Sequence, residues 1–213
     1  MEDAARRARA ASRALVGASC ETKNAALAAF RRHLAARRAE IEEANRQDKE
    51  EAEAAVKEGK LSSSLLKRLD ISGAKFDTLL TGIDEVVQLP DPVGQVTYAN
   101  RVSEGLDLYR VTCPIGVGLI IFESRPDAAV QIASLAMKSG NALLLKGGRE
   151  AQRSNAALAE IDDDPDLDTQ DVYPTDDFGE PEKIDILQPV RVPQASPARL
   201  VCHQGGGLQD SEV

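Results

Sequence analysis

Tryptophan is absent from this 213-residue chain, and aromatic residues make up only 3% of it. Cysteine is scarce as well. Cys20, Cys113 and Cys202 are far apart and odd in number, with no CxxC pair or Cys/His cluster. Neither a zinc site nor a disulfide framework is supported, and no metal site is expected. Long apolar runs are missing too. No stretch reaches the roughly 20 residues of a membrane span, and "MEDAARRARAASRALVG" lacks the apolar core of a signal peptide. Glu2 and Asp3 weigh against a transit peptide. No membrane partner is expected, and the default setting is a soluble, reducing, cytoplasmic one.

A basic face is the last absence. The net charge is −9, and it is unevenly spread. Residues 161–213 carry 13 acidic against 3 basic residues, a net of −10, which leaves +1 for the first 160. That balance argues against a nucleic-acid partner and for two segments of different character. With 42% hydrophobic residues, the chain can build one sizeable domain.

Residues 3–58 are rich in Ala, Arg, Glu and Lys, with no Pro and a single glycine, Gly17. Intrinsic propensity favours helix there. Leu27, Phe30, Leu34 and Ile41 recur at helical spacing and predict one apolar stripe packed on a core. A second helical stretch is predicted over about 62–87, ending at "LPDPVG". Val96 and Tyr98, then Leu106 and Leu108, alternate with polar residues on either side of "SEG", which predicts a β-hairpin over about 94–112. The run from Val117 to Phe122 reads as a strand buried on both faces. "RPDAAVQIASLAMKSGN" reads as a helix, with Pro126 and Asp127 in its first turn and Gly140-Asn141 as its stop. Ala142 to Leu145 is then a second buried strand, ending at Lys146. Strand, helix and strand within about 30 residues make a βαβ unit, hence a parallel sheet.

Beyond "SNAALAEI" the periodicity collapses into "DDDPDLDTQDVYPTDDFGEPEK", and prolines recur from Pro165 to Pro197. By composition, 162–213 is expected to be an acidic, disordered tail. Aspartates 164, 166 and 168 copy the start of a calcium loop, but Thr169 and Thr175 stand where its Gly and closing Glu belong.

Three stretches, "IEEANRQDKEEA", "LPDPVGQV" and "CPIGVGLIIFESRPDAAVQIASLAMKSGNALLLKGGREAQRSN", resemble the γ-glutamyl phosphate reductase (glutamate-5-semialdehyde dehydrogenase) family. That family lies within the aldehyde dehydrogenase superfamily. The resemblance runs from about residue 3 to residue 160. It implies an α/β fold for 1–161: a truncated aldehyde-dehydrogenase-like nucleotide-binding domain with N-terminal helices, followed by the acidic irregular tail. It also implies that the hairpin belongs to an oligomerisation arm, and so a homo-oligomer.

The implied activity is NADPH-dependent reduction of γ-glutamyl phosphate to glutamate 5-semialdehyde in proline biosynthesis. Lys146 matches the superfamily lysine that bonds the cofactor's ribose. Gly147 and Gly148 would let the backbone approach the ligand. At 149, NAD-preferring relatives place a glutamate on the ribose hydroxyls, whereas here Arg149 can pair with a 2′-phosphate. Ser124 falls where many superfamily members carry the asparagine that stabilises the oxyanion, and Arg125 adds a cation suited to an anionic leaving group.

A bland alternative exists for each residue: a solvated strand-end lysine, a plain glycine turn, an arginine on a helix N-terminus. The implied catalytic cysteine comes from family sequence with no match in this chain, so no catalytic residue is assigned. The chain is expected to be the front third to half of the enzyme and inactive by itself. Two other readings stay open: a non-catalytic fragment that binds NADPH or pairs with subunits, and a gene-model artefact.

Overall fold

The computed structural model describes residues 2–159. The predicted N-terminal helical region is three helices: α1 (Glu2–Val16), α2 (Cys20–Ala36) and α3 (Arg38–Lys57). Gly17 and Ala18 close the first break, and Ser19 caps α2 by accepting from the Thr22 N–H at 3.1 Å. Arg37, at φ −93° and ψ 12°, kinks the chain between α2 and α3. The stripe of Leu27, Phe30, Leu34 and Ile41 therefore spans two helices, yet all four residues are buried in one core.

The stretch predicted over 62–87 is also divided, into α4 (Ser63–Leu69) and α5 (Ala74–Gln88). Asp70 makes the break. It accepts from the Ser72 N–H and hydroxyl and pairs with Lys49 at 2.8 Å, while Gly73 turns at φ +60°. Phe76, Leu79 and Ile83 of α5 then join the core formed by α2 and α3.

The hairpin forms as read, from β1 (Val96–Ser103) and β2 (Leu106–Val111), antiparallel, with Gly105 at φ +74° in its turn. Most of its side chains are exposed, among them Tyr98, Val102, Tyr109 and Val111. Thr112 fixes its base by donating to the Pro92 carbonyl at 2.6 Å.

Next comes the βαβ unit: β3 (Val117–Ile121), α6 (Pro126–Ser139) and β4 (Ala142–Lys146), with the two strands parallel. Gly140 ends α6 at φ +68°, and a side chain there would press on Pro114. The expectation of a strand buried on both faces needs correcting for β3, whose residues are half-buried and whose Ile121 is exposed. Among the described residues β3 has one neighbouring strand, and α1 covers the face carrying Val117, Leu119, Ala142 and Leu144 with Ala4 and Ala8. After β4, a short 3-10 turn (Arg149–Ala151) leads into α7 (Gln152–Ala159), which packs on α3. The 162–213 tail lies outside the described residues.

Candidate functional site

β3 and β4 end at the same level. Ile121 stands opposite Lys146, and the Phe122 N–H donates to the Lys146 carbonyl at 3.0 Å. Beyond that rung the chain parts into two loops, Glu123–Arg125 leading into α6 and Gly147–Gly148 leading toward α7. A crevice outside the carboxyl ends of parallel strands is where open α/β sheets place ligands.

Lys146 and Arg149 are both exposed at this end. Among the described residues neither side chain has a hydrogen-bond or ion-pair partner. Arg125 is also exposed, but its guanidinium pairs with Asp127 at 2.8 Å. Ser124 is placed differently from its neighbours. It is 2% exposed and is the one non-glycine with positive φ (+51°) among the described residues. That conformation costs roughly 1–2 kcal/mol for a residue with a Cβ, so something must hold it. Glu150 does, because its Oε1 accepts from both the Ser124 N–H and the Ser124 hydroxyl, the latter at 2.9 Å. The hydroxyl thus faces inward.

The two glycines have a reason inside the molecule. A Cβ on Gly147 would strike the Asn155 amide, and one on Gly148 would strike the Glu150 carboxylate. Neither clash is relieved without moving α7 or the Ser124 contact. Asn155, beneath Gly147, keeps its amide oxygen buried without a partner among the described residues.

Glu150 and Asn155 escaped the sequence reading. Nothing in one sequence says that a carboxylate in "KGGREA" reaches back 26 positions. A second missed group did leave a signal. On α3 the buried positions are Ile41, Asn45, Asp48 and Ala52, an apolar stripe interrupted by two polar residues. Asn45 donates to the Leu69 carbonyl (2.7 Å) and to the Ser154 hydroxyl (3.1 Å), and accepts from the Ile71 N–H. Asp48 accepts from the Ser154 N–H and hydroxyl, both at 2.8 Å, and from the Arg153 N–H at 3.2 Å. It caps α7 from another helix and so anchors the far end of the Lys146–Arg149 loop.

The described thiols lie elsewhere. Cys113 precedes β3, and Cys20 sits 4.0 Å from Lys138 near the C-terminal end of α6. Because α6 runs back along the strands, both belong to their amino ends, opposite the loops that carry Arg125, Lys146 and Arg149. Cys202 lies outside the described residues.

No family model matches the chain. It is 44% identical over 162 residues to a probable γ-glutamyl phosphate reductase of Schizosaccharomyces pombe, covering 76% of this chain and 36% of that one. It is 49% identical over 161 residues to the γ-glutamyl phosphate reductase of Pelotomaculum thermopropionicum, with the same shares. The chain thus spans about a third of the length of the curated relatives it matches. The crystal structure of γ-glutamyl phosphate reductase from Saccharomyces cerevisiae superposes with TM-score 0.74 at 40% identity, covering 87% of this chain and 45% of that one. A putative aldehyde dehydrogenase from Bacillus subtilis, at 18% identity and TM-score 0.55 over 75% of this chain and 32% of its own, shares the fold. Over about three quarters of its length, this chain is similar to γ-glutamyl phosphate reductases, and it matches about a third of theirs.

Proposed function

We propose that this chain forms the cofactor-facing front of an enzyme that reduces γ-glutamyl phosphate to glutamate 5-semialdehyde with NADPH, a step of proline biosynthesis in the cytoplasm. The observation that carries the reading is the pair of exposed cations, Lys146 and Arg149, beyond the carboxyl end of β4 and without partners among the described residues. Their residues fit an anionic dinucleotide. Two glycines keep side chains off the loop between them, and the Asn155 oxygen beneath it, without a partner among the described residues, is a buried acceptor of the kind that a ligand hydroxyl or a water satisfies.

When bound, NADPH supplies the hydride. Lys146 would hold the ribose by donating from its ammonium, and Arg149 would meet the 2′-phosphate. Arg125, its guanidinium already oriented by Asp127, would offer donors to the acyl phosphate leaving group. Ser124 contributes by fixing that turn, since its hydroxyl is committed to Glu150. Cys20 and Cys113 lie at the wrong end of the strands for attack, so neither of these thiols serves as the nucleophile.

Arg149→Glu tests the reading. A charge-assisted pair contributes roughly 1.5–3 kcal/mol, so NADPH is expected to weaken about tenfold or more while NADH holds steady. High salt should narrow the contrast, because Arg149 is open to solvent. Fluorescence titration of both cofactors measures it, and equal losses for the two would make Arg149 structural.

The exposed hairpin is assigned to subunit pairing. Tyr109→Glu with Val111→Glu places two charges on one face of β2 and is expected to shift the chain toward monomer in sedimentation velocity. An unchanged sedimentation profile would remove the hairpin from the interface.

A further inference from the structure

We infer, on the basis of the cofactor assignment above, that Glu150 is a positioning residue that locks the two loops of the site into one body. Each loop carries a cation next to the lock: Arg149 precedes Glu150, and Arg125 follows Ser124. Between them, one carboxylate oxygen of Glu150 takes both donors of Ser124.

Three features show that the loops are built around this contact. Ser124 is buried and held at positive φ, where a serine stays only if its surroundings fix it. The N–H and hydroxyl it gives to Glu150 would otherwise be buried without partners. Gly148 has no side chain in the space that the Glu150 carboxylate fills. The backbone direction at Ser124 sets where Arg125 emerges at the start of α6, so the same contact that seats the 147–149 loop aims the second cation.

The clasp also disposes of a charge. Glu150 is the acidic residue nearest Arg149 in sequence, and a carboxylate loose beside Arg149 would repel a 2′-phosphate. Turned inward onto Ser124, it leaves the crevice to the cations. Cofactor seated on Lys146 and Arg149 and an anion seated at Arg125 are therefore coupled through Glu150.

The full chain provides the test, with NADPH titrated well below the melting temperature of each variant and the Ser124 amide followed by two-dimensional NMR. Glu150→Ala is expected to weaken NADPH on the order of tenfold and to weaken NADH as well. Glu150→Gln retains an acceptor oxygen and is expected to restore affinity to within about twofold of wild type. The Ser124 amide signal is expected to move on NADPH addition in wild type and to stop responding in Glu150→Ala. A merely structural role would lower the melting temperature while leaving the dissociation constants and the Ser124 response intact, and that result overturns the inference. So does failure of the glutamine variant to recover binding. If wild type binds no NADPH, the cofactor assignment itself falls and takes the inference with it. Binding by wild type with an unaffected Glu150→Ala sinks the inference alone.

Discussion

Asp48→Ala is expected to melt about 10 °C below the wild type, and to lose cofactor affinity in the same variant even at low temperature. Asp48 is 3% exposed and serves as the acceptor for the first turn of α7. Its removal leaves the Arg153 and Ser154 N–H groups and the Ser154 hydroxyl short of an acceptor, and Ser154 is fully buried. Lost capping contributes about 1 kcal/mol and each buried donor left unmade about 1–3 kcal/mol. Partial repair by water brings the total to about 3 kcal/mol by the same reckoning. At roughly 2–4 °C per kcal/mol for a domain of this size, that is the expected shift. Asp48→Asn keeps one acceptor and should lose less than half as much. Differential scanning calorimetry reads both, and a shift under about 3 °C for the alanine variant would mean that α7 is held by packing alone.

The second large effect concerns Asp91, in "LPDPVG". Lys23 and Lys138 are both nearly completely buried, and Asp91 is the carboxylate they share. Lys23 lies 2.6 Å from it, and Lys138 acts on it through charge while its ammonium donates to Asn24 and to the Val87 carbonyl. Burial alone pushes the Asp91 carboxyl up, but the hydrogen bonds from Lys23 and Val93 and the charges of both lysines outweigh it and hold the group below its usual range.

Asp91→Ala takes the carboxylate from the buried Lys23 ammonium and the nearby negative charge from Lys138. Removing one partner of a buried pair costs about 3–5 kcal/mol, and the 21% exposure of the Asp91 side chain puts this case near about 3 kcal/mol. The pH dependence follows from the depressed pKa. The contribution is fully present above the unfolded value of about 4 and is lost as pH falls through the lower folded value. Urea melts from pH 7 down to pH 2.5 should therefore show wild type losing more stability than Asp91→Asn, the two curves converging in acid. Parallel curves across that range would show that Asp91 contributes no charge-dependent stability.

Much of the architecture was legible in the order of residues. Pro126 and Asp127 at one end of α6, with Gly140 at the other, mark its limits through local geometry: a fixed φ, an acidic first turn and a left-handed stop. The apolar run after Gly116 and the second one after Asn141 mark two strands that a helix of that length can join only in parallel. The cations at 125, 146 and 149 follow directly, because a strand end and a helix start are positions along a chain.

Contacts that close over long separations were not legible. The sequence reading passed over the kink at Arg37, beside which Arg38 reaches Asp77 and the Gly73 carbonyl, and the break at Asp70, whose carboxylate is held by Lys49 from 21 positions away. Half-burial of β3 is likewise a matter of how many neighbours a strand has, which its own composition does not record. Asn45 and Asp48 sat in plain view as polar residues on an apolar stripe, yet their partner, Ser154, is more than 100 positions away.

By itself, then, the sequence determined the helix–hairpin–βαβ order, the limits of the regular elements around the site and the cationic character of the strand ends, because propensity, periodicity and turn chemistry act within a few residues. Tertiary structure alone decided that Glu150 faces Ser124 and not solvent, that Gly147 and Gly148 leave room for Asn155 and Glu150, and that Asp48 caps a helix it does not belong to. Those are distances between parts of the chain that only packing brings together.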